Sequence, residues 1–235
     1  MVRRMDSVYE LRQYTLHPGQ RDVLIDIFER EFVETQEAVG MRLPGMFRDL
    51  SNPDRFVWLR GFADLPARAS GLAAFYGGPA WKTNSRAANG TMIDSDNVLL
   101  LRPTGPGAGF ALDGVARPPV GAVLASASTV VATIHYLAAP IDDELIDLFD
   151  QKALPLLEKA GATPLARLCT RYAENNFPAL PVRTGEHVLV WFASLPSVND
   201  HAEHAQLLAQ LPEWVERVLN TEVLRLAPTT RSLLR

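Results

Sequence analysis

Apolar and polar residues follow two different periods along the chain, and the changes of period predict its elements. The segment 9–16 alternates with period two and is rich in strand-forming residues, whereas the apolar residues of 23–32 recur at helical spacing until Gly40. The pattern then predicts strands over 43–50 and 55–62, a helix over 66–76 and a strand over 97–101. This order, β-α-β-β-α-β, is that of a ferredoxin-like unit.

The same order of elements returns in the second part of the chain. The pattern there predicts strands over 130–137, 166–172, 187–192 and 222–226, and helices over 142–160 and 200–219. Pro155 should kink or divide the first of these helices, because proline has no amide hydrogen to donate.

Short motifs recur between the two parts in the same order, which indicates an internal repeat. The matched segments are Leu24–Phe28 with Leu145–Phe149, Phe62–Pro66 with Phe192–Pro196, Pro79–Trp81 with Pro212–Trp214, and Val98–Pro103 with Val223–Pro228. We therefore predict a first unit over 7–103, a Gly/Pro/Ala-rich linker over 104–128 and a second, diverged unit over 129–228.

The predicted strands are apolar on both faces, so both faces of each sheet must be buried. Helices cover one face of a ferredoxin-like sheet, and the second unit can cover the other. The predicted fold class is α+β, with tandem ferredoxin-like repeats packed sheet to sheet as an α/β barrel. We expect the helices outside and a cavity between the sheets.

Composition and charge exclude several classes of protein. The chain has 235 residues, of which 47% are hydrophobic and 21% charged, as in ordinary globular domains. The net charge of −4 and the lack of a Lys/Arg cluster argue against nucleic acid as a partner. No segment approaches the ~18 apolar residues of a membrane span, and no apolar leader follows the first residues. A single cysteine excludes an internal disulfide, so we predict a cytoplasmic protein.

Candidate catalytic residues lie on the first strand of each unit. Arg12 and Tyr14 share a strand face with Glu10, and we expect them to hold an anionic or carbonyl oxygen in the cavity. The alternative is a Glu10–Arg12 pair at a sheet edge, with Tyr14 as packing. His135 takes the place of Tyr14 in the second unit and is the third catalytic candidate, as a general base or an axial haem ligand. A buried structural histidine is the competing interpretation.

Candidate substrate-binding residues come from the third strand and from a longer segment of the first unit. Trp58 and Arg60 share a face that could grip a planar ligand or simply form the core. Trp81 and Asn84 begin a polar stretch that the second unit lacks. This stretch is a functional insertion, a longer surface loop or a helix extension that caps the end of the barrel. No metal site and no cofactor are predicted, because no ligand set or phosphate-binding motif is visible.

The residues resemble the NIPSNAP family. The resemblance is carried by YELRQYTLHPGQ at 9–20, FxWLRGFADLPAR at 56–68 and FYGGPAWKTNSRAANGTMIDSDNVLLLRP at 75–103, with weaker matches in the second unit. It implies the dimeric α/β barrel superfamily, which includes cofactor-free monooxygenases of aromatic polyketides, isomerases and haem-dependent enzymes. NIPSNAP members have no settled activity, and some animal members are linked to vesicle transport and mitochondrial signalling.

Two functions follow as hypotheses. The first is a barrel that binds a small hydrophobic or aromatic molecule between its sheets, as a cofactor-free monooxygenase-like or isomerase-like enzyme. The alternative is a non-enzymatic binding or scaffold protein that acts through its outer surface. The fold alone also makes a homodimer possible, although one chain supplies both units.

Overall fold

The computed structural model describes residues 6–123, 129–195 and 200–235, with side chains from 202 onward in the last segment. The end of the predicted linker, 124–128, and Pro196 of the second repeated motif lie outside the described residues. The strands are β1 (Val8–Leu16), β2 (Met46–Asp49), β3 (Arg55–Phe62), β4 (Met92–Asp94), β5 (Val98–Pro103), β6 (Thr129–Leu137), β7 (Thr163–Thr170), β8 (Val188–Leu195) and β9 (Val218–Pro228). The helices are α1 (Arg21–Ile27), α2 (Val33–Ala38), α3 (Leu65–Gly77), α4 (Pro79–Asn89), α5 (Asp143–Leu148), α6 (Leu154–Lys159), α7 (Asp200–Leu208) and α8 (Pro212–Val215).

Eight of these strands form one closed antiparallel barrel. The sheet order is β3-β2-β9-β6-β8-β7-β5-β1, and the β1–β3 pairing closes it, while β4 pairs only with the end of β1. Each half of the chain contributes a ferredoxin-like sheet, β2-β3-β1-β5 and β9-β6-β8-β7. The fold class predicted from the sequence is confirmed. Each barrel strand already has two neighbours within one chain, so the homodimer stays a prediction that strand pairing in the barrel does not require.

The interior of the barrel is filled, which corrects the predicted cavity between the sheets. Leu11, Val57 and Leu59 of the first half meet Ile134 and Val190 of the second in one buried apolar cluster. Because side chains alternate along a strand, the intervening positions of β1 and β3 point outward, beneath the helices. The prediction that Arg12 and Tyr14 share a face is correct, but that face is the outer one.

Both halves interrupt their first helix with a π turn at the same place. Phe28–Phe32 joins α1 to α2, and Phe149–Ala153 joins α5 to α6. In each turn an amide bonds to the carbonyl five residues earlier, from Val33 to Phe28 and from Leu154 to Phe149. The predicted irregularity at Pro155 therefore takes the form of a π turn directly before it, which leaves the proline near the start of α6.

One of the four repeated motifs does not mark equivalent positions. Phe62 pairs with Val8 and packs under the helices, whereas Phe192 pairs with Ala132 and packs inside the barrel. The strand register instead aligns Trp58, opposite Arg12, with Trp191, opposite Thr133.

Candidate functional site

A pocket with a volume of about 510 Å³ lies between the outer face of the first half's sheet and its helices. We call it the N-terminal pocket. Its floor is formed by Arg12 and Tyr14 of β1 and Trp58 of β3. Arg12 and Trp58 are direct neighbours across the two strands, and Tyr14 lies one residue pair along on the same face.

Beneath the floor, a single carboxylate holds three arginines. Glu10 is fully buried and accepts hydrogen bonds from Arg12 at 2.8 Å, from Arg60 at 2.6 and 3.0 Å, and from Arg68 at 2.7 Å. Arg60 also donates to Gln36 at 3.2 Å. All three guanidinium groups are at most 1% exposed.

This cluster carries more positive than negative charge. Burial alone would raise the pKa of Glu10, but Arg60, Arg12 and Arg68 outweigh burial and hold that pKa well below its ordinary value. Glu10 is therefore ionised at neutral pH, and one negative charge faces three positive ones. Buried charges are stable only when they are compensated, so an anion in the pocket would relieve the excess.

The Tyr14 hydroxyl lies beside the Arg12 guanidinium on the floor of the pocket. Arg12 Nε donates to the Tyr14 hydroxyl at 3.0 Å, and the Arg12 guanidinium lies 5.4 and 5.5 Å from the ring centres of Tyr14 and Trp58. Burial raises the pKa of Tyr14 above its ordinary value despite the nearby guanidinium of Arg12. The phenol accepts from Arg12 and keeps its own hydrogen, which makes it a donor toward the pocket and not a base.

The walls of the pocket are aromatic. The π turn places Phe28 and Phe32 over the floor, and Phe28 meets the Trp58 ring edge-on at 4.7 Å between centres. Tyr76 of α3 and Trp81 of α4 complete the wall, with ring centres 4.7 Å apart. The indole nitrogen of Trp58 is buried and has no hydrogen-bond partner in the part of the chain that the structure describes, so it offers one further donor.

Part of the pocket comes from the second half of the chain. Phe177, Leu180 and Pro181 line it, and Phe177 stacks on Tyr76 with ring centres 6.2 Å apart. This cover is tied to the buried cluster, because Arg68 donates to the side-chain oxygens of the neighbouring Asn175 and Asn176 at 3.0 and 2.7 Å. We call residues 173–183 the cover segment.

The mouth of the pocket lies after α4. Met92, Ser95 and two carboxylates, Asp94 and Asp96, line it. Asp94 accepts a hydrogen bond from the amide of Asp96 at 2.8 Å. Sequence reasoning noted this stretch only as a polar insertion, and it missed both the carboxylates and the cover segment.

The predicted site residues are distributed over two pockets. Arg12, Tyr14, Trp58 and Trp81 come together in the N-terminal pocket. Arg60 lies behind the floor as a ligand of Glu10 and does not line the pocket.

Two further candidates lie elsewhere. Asn84 donates to the carbonyl of Ala80 in its own helix at 3.0 Å and does not line the pocket. His135, expected in the same cavity as Tyr14, lines a separate pocket of about 210 Å³ under α7 and α8. The reason is the barrel core, which separates the outer faces of β1 and β6.

The described residues contain no group of three or more His, Cys, Asp and Glu side chains that could hold a metal ion. Cys169 is buried, and burial raises the pKa of its thiol to about 11 despite the nearby Arg102. It is thus a packing residue and not a nucleophile at neutral pH. In the part of the chain that the structure covers, no helix has the length and apolar character needed to cross a membrane.

Comparison with known proteins extends this picture. Residues 9–106 match the NIPSNAP family profile. The first unit of the chain is a NIPSNAP domain. That domain supplies Arg12, Tyr14, Trp58 and Trp81 of the N-terminal pocket, and the resemblance seen in the sequence is confirmed for it. None of the curated proteins compared with the chain matches it.

Solved structures resemble the chain over nearly its whole length. A candidate monooxygenase from Lactobacillus acidophilus is 13% identical, with 95% of this chain and 94% of that one covered and a TM-score of 0.54. A candidate monooxygenase from Fusobacterium nucleatum is 8% identical, with coverage of 95% and 92% and a TM-score of 0.55. An anthrone oxidase-like protein is 11% identical, with coverage of 96% and 92% and a TM-score of 0.56. At these identities the likeness establishes the barrel fold alone.

Proposed function

We propose that the N-terminal pocket binds a small, planar, hydrophobic or aromatic molecule through an acidic oxygen, such as a phenolate, enolate or carboxylate. The observation that carries this proposal is the buried cluster in which Glu10 faces Arg12, Arg60 and Arg68. Of the three arginines, only Arg12 lines the pocket. Arg12 is therefore the arginine of this cluster that would contact the acidic oxygen of the ligand.

The rest of the pocket suits an aromatic ring. Trp58, Trp81, Phe28, Phe32 and Tyr76 surround a volume of about 510 Å³, which lies within the range typical of small-molecule sites. The Tyr14 hydroxyl and the Trp58 indole N–H are the neutral donors on the same floor. Together these two donors would bind one oxygen of the ligand, and the ligand's ring would lie among the aromatic side chains.

The same arrangement supports a finer proposal of catalysis without a cofactor, of the monooxygenase-like or isomerase-like kind. Arg12 and Tyr14 would stabilise the oxyanion that forms when a phenol or a ketone loses a proton. Asp94 or Asp96 at the mouth would accept that proton, since Tyr14 keeps its own. An electron-rich anion of this kind is the species that could then react with dioxygen or be reprotonated at carbon.

Binding can be tested with 2-naphthoate as the probe, by calorimetry at neutral pH. Arg12→Met keeps the unbranched aliphatic part of the side chain but removes the guanidinium charge, and Glu10 still retains Arg60 and Arg68. We expect the dissociation constant to rise roughly tenfold or more, the usual loss for a hydrogen bond to a charged group. Arg48→Met, on β2 outside the pocket, is the matched control and should bind as the wild type does.

Unchanged binding by Arg12→Met would contradict the proposal. No binding of 2-naphthoate or of related aromatic acids by the wild type would favour the alternative, a scaffold that acts through its outer surface. Catalysis is tested separately, by oxygen consumption with a panel of quinols and anthrones. Consumption that Arg12→Met lowers would support it, and binding without consumption would reduce the function to ligand binding.

A further inference from the structure

A second pocket, of about 210 Å³, lies on the outer face of the second half. We call it the C-terminal pocket. Its floor is formed by Thr133 and His135 of β6, Trp191 of β8 and Thr221 of β9, and α7 and α8 cover it with His204 and Trp214. The filled barrel core separates it from the N-terminal pocket.

No charged side chain of the Asp, Glu, Lys or Arg type is found among the described residues that line this pocket. His135 is itself neutral near pH 7, because burial lowers its pKa to about 3. A charged ligand would lose its hydration there and gain no partner. The pocket therefore suits a neutral molecule.

Two buried polar atoms of this pocket have no hydrogen-bond partner among the described residues. They are Nε2 of His135 and Nε1 of Trp191, and each side chain is 2% exposed. Nδ1 of His135 is already occupied, since it lies 3.0 Å from the hydroxyl oxygen of Thr221. Buried polar atoms are nearly always paired in folded proteins, so two such atoms in one pocket point to a ligand that pairs them.

The lining also specifies the shape of that ligand. His135 meets the Trp214 ring edge-on at 4.7 Å, and Trp191 lies 5.9 Å from the ring of His204. Rings of this kind pack well against another aromatic ring. An apolar cavity of about 150 Å³ is large enough to bind benzene in another protein, so a volume of about 210 Å³ accommodates one substituted ring.

We propose that the C-terminal pocket is a second small-molecule site, which binds a neutral single-ring aromatic molecule bearing a hydroxyl group, of the phenol class. A hydroxyl oxygen can accept from the indole N–H of Trp191. A hydroxyl can also donate to or accept from His135 Nε2, whichever nitrogen of that ring carries the hydrogen. The site is independent of the proposed function of the N-terminal pocket and shares no lining residue with it.

The four tryptophans of the chain allow a direct test. Trp58 and Trp81 line the N-terminal pocket, and Trp191 and Trp214 line the C-terminal pocket. Their indole N–H resonances are assigned by single Trp→Phe variants, and phenol is titrated into the nitrogen-15-labelled protein. We expect the Trp191 and Trp214 resonances to move with a saturable curve. Toluene, which lacks the hydroxyl, should bind roughly five- to tenfold more weakly.

A variant that blocks the pocket keeps the test independent of stability. Ala209 lines the C-terminal pocket and is exposed, so Ala209→Phe should fill it without disturbing the core. Phenol should then cease to move the Trp214 resonance. Ala202→Phe, at an exposed position of α7 that does not line the pocket, is the matched control and should bind as the wild type does. Shifts that do not saturate, that fall on Trp58 and Trp81 alone, or that persist in Ala209→Phe would overturn the proposal.

Discussion

The N-terminal and C-terminal pockets are built on the same framework and differ in charge. Each pocket lies on the outer face of a four-stranded half-barrel, under helices. Each has one tryptophan on the third strand of its half and one in the last helix of its half, α4 or α8. Trp58 and Trp191 are separated by 133 positions (191 − 58), and so are Trp81 and Trp214 (214 − 81). The aromatic part of the two sites is therefore alike.

The charged residues of the floor exist in one half only. The strand register places Glu10, Arg12, Tyr14 and Arg60 of the N-terminal half where the other half has Val131, Thr133, His135 and Ala193. One framework thus carries a pocket with a positively charged floor and a pocket with a neutral floor. The charge of the floor is set by a few outward positions on the first and third strands, while the inward positions of both halves stay apolar.

The largest expected effect comes from removing the charge that holds the N-terminal cluster together. Glu10→Gln leaves Arg12, Arg60 and Arg68 buried without a counter-charge, and losing one partner of a buried ion pair typically costs about 3–5 kcal/mol. Urea unfolding at pH 7 measures the loss. Glu213→Gln breaks an exposed pair with Lys152 and should leave the midpoint unchanged. A similarly small effect for Glu10→Gln would remove the electrostatic distinction between the pockets.

Between pH 6.5 and 4.5 the C-terminal pocket should make stability depend on pH, whereas the lowered pKa of Glu10 in the N-terminal cluster affects stability only below about pH 4.5. The pKa of His135 falls from 6.5 to about 3 on folding because the ring is buried, so the unfolded chain binds a proton in this interval and the folded one does not. Stability should therefore decline as the pH falls from 6.5 toward 3, by about 1.4 kcal/mol per pH unit from this group.

Urea unfolding at pH 6.5, 5.5 and 4.5 measures this slope. His135→Leu should flatten it by the amount stated, whatever the variant's absolute stability. His17→Gln, at an exposed position, should leave the slope as in the wild type. Equal slopes in the wild type and in His135→Leu would show that the ring is not buried in its neutral form.

A smaller effect should follow from removing one hydroxyl of the N-terminal floor. Tyr14→Phe keeps the ring against Trp58 but removes the proposed donor to the ligand's oxygen. We expect affinity for 2-naphthoate to fall roughly tenfold, since a hydrogen bond to a charged group is worth about 1.5–3 kcal/mol. Calorimetry measures it, with Tyr172→Phe, which lies outside the pocket, as the control. If Tyr14→Phe binds as tightly as the wild type, Tyr14 is only packing.

The smallest effect concerns the cover segment, in which the second half contributes to the first half's site. Phe177→Ala removes the ring stacked on Tyr76, and such a pair is worth about 0.5–1.5 kcal/mol beyond area burial. Affinity for 2-naphthoate should fall by a few-fold, with no change in the phenol titration of the C-terminal pocket. An effect on both pockets would mean that the variant disturbs the fold as a whole.

The sequence predicts the fold well because periodicity reports which residues share a face. The strand and helix order and the shared face of Arg12 and Tyr14 follow from that rule. Periodicity does not say which face points inward, and the predicted cavity is therefore on the wrong side of the sheet. The inward face is decided by Leu11 and Val57, whose apolar neighbours come from strands of the other half.

The parts of the site that sequence reasoning missed depend on distant contacts. The sequence does not decide between a loop and a helix extension at α4, because only one narrow side of this helix meets the core, at Ala88. The cover segment reaches the pocket from over a hundred residues away, through Arg68 and Asn175. The pairing of Arg68 with Glu10 likewise joins a helix to a strand and leaves no local signal in the sequence.

The central claim is that the N-terminal pocket selects its ligand by negative charge through Arg12. A ratio of two affinities tests this claim most directly. Binding of 2-naphthoate and of the neutral ketone 2-acetylnaphthalene is measured by calorimetry for the wild type and for Arg12→Met. The wild type should prefer the anion, and Arg12→Met should lose that preference while its affinity for the ketone stays nearly unchanged. Equal affinity of the wild type for both molecules, or a preference that survives in Arg12→Met, would contradict the account.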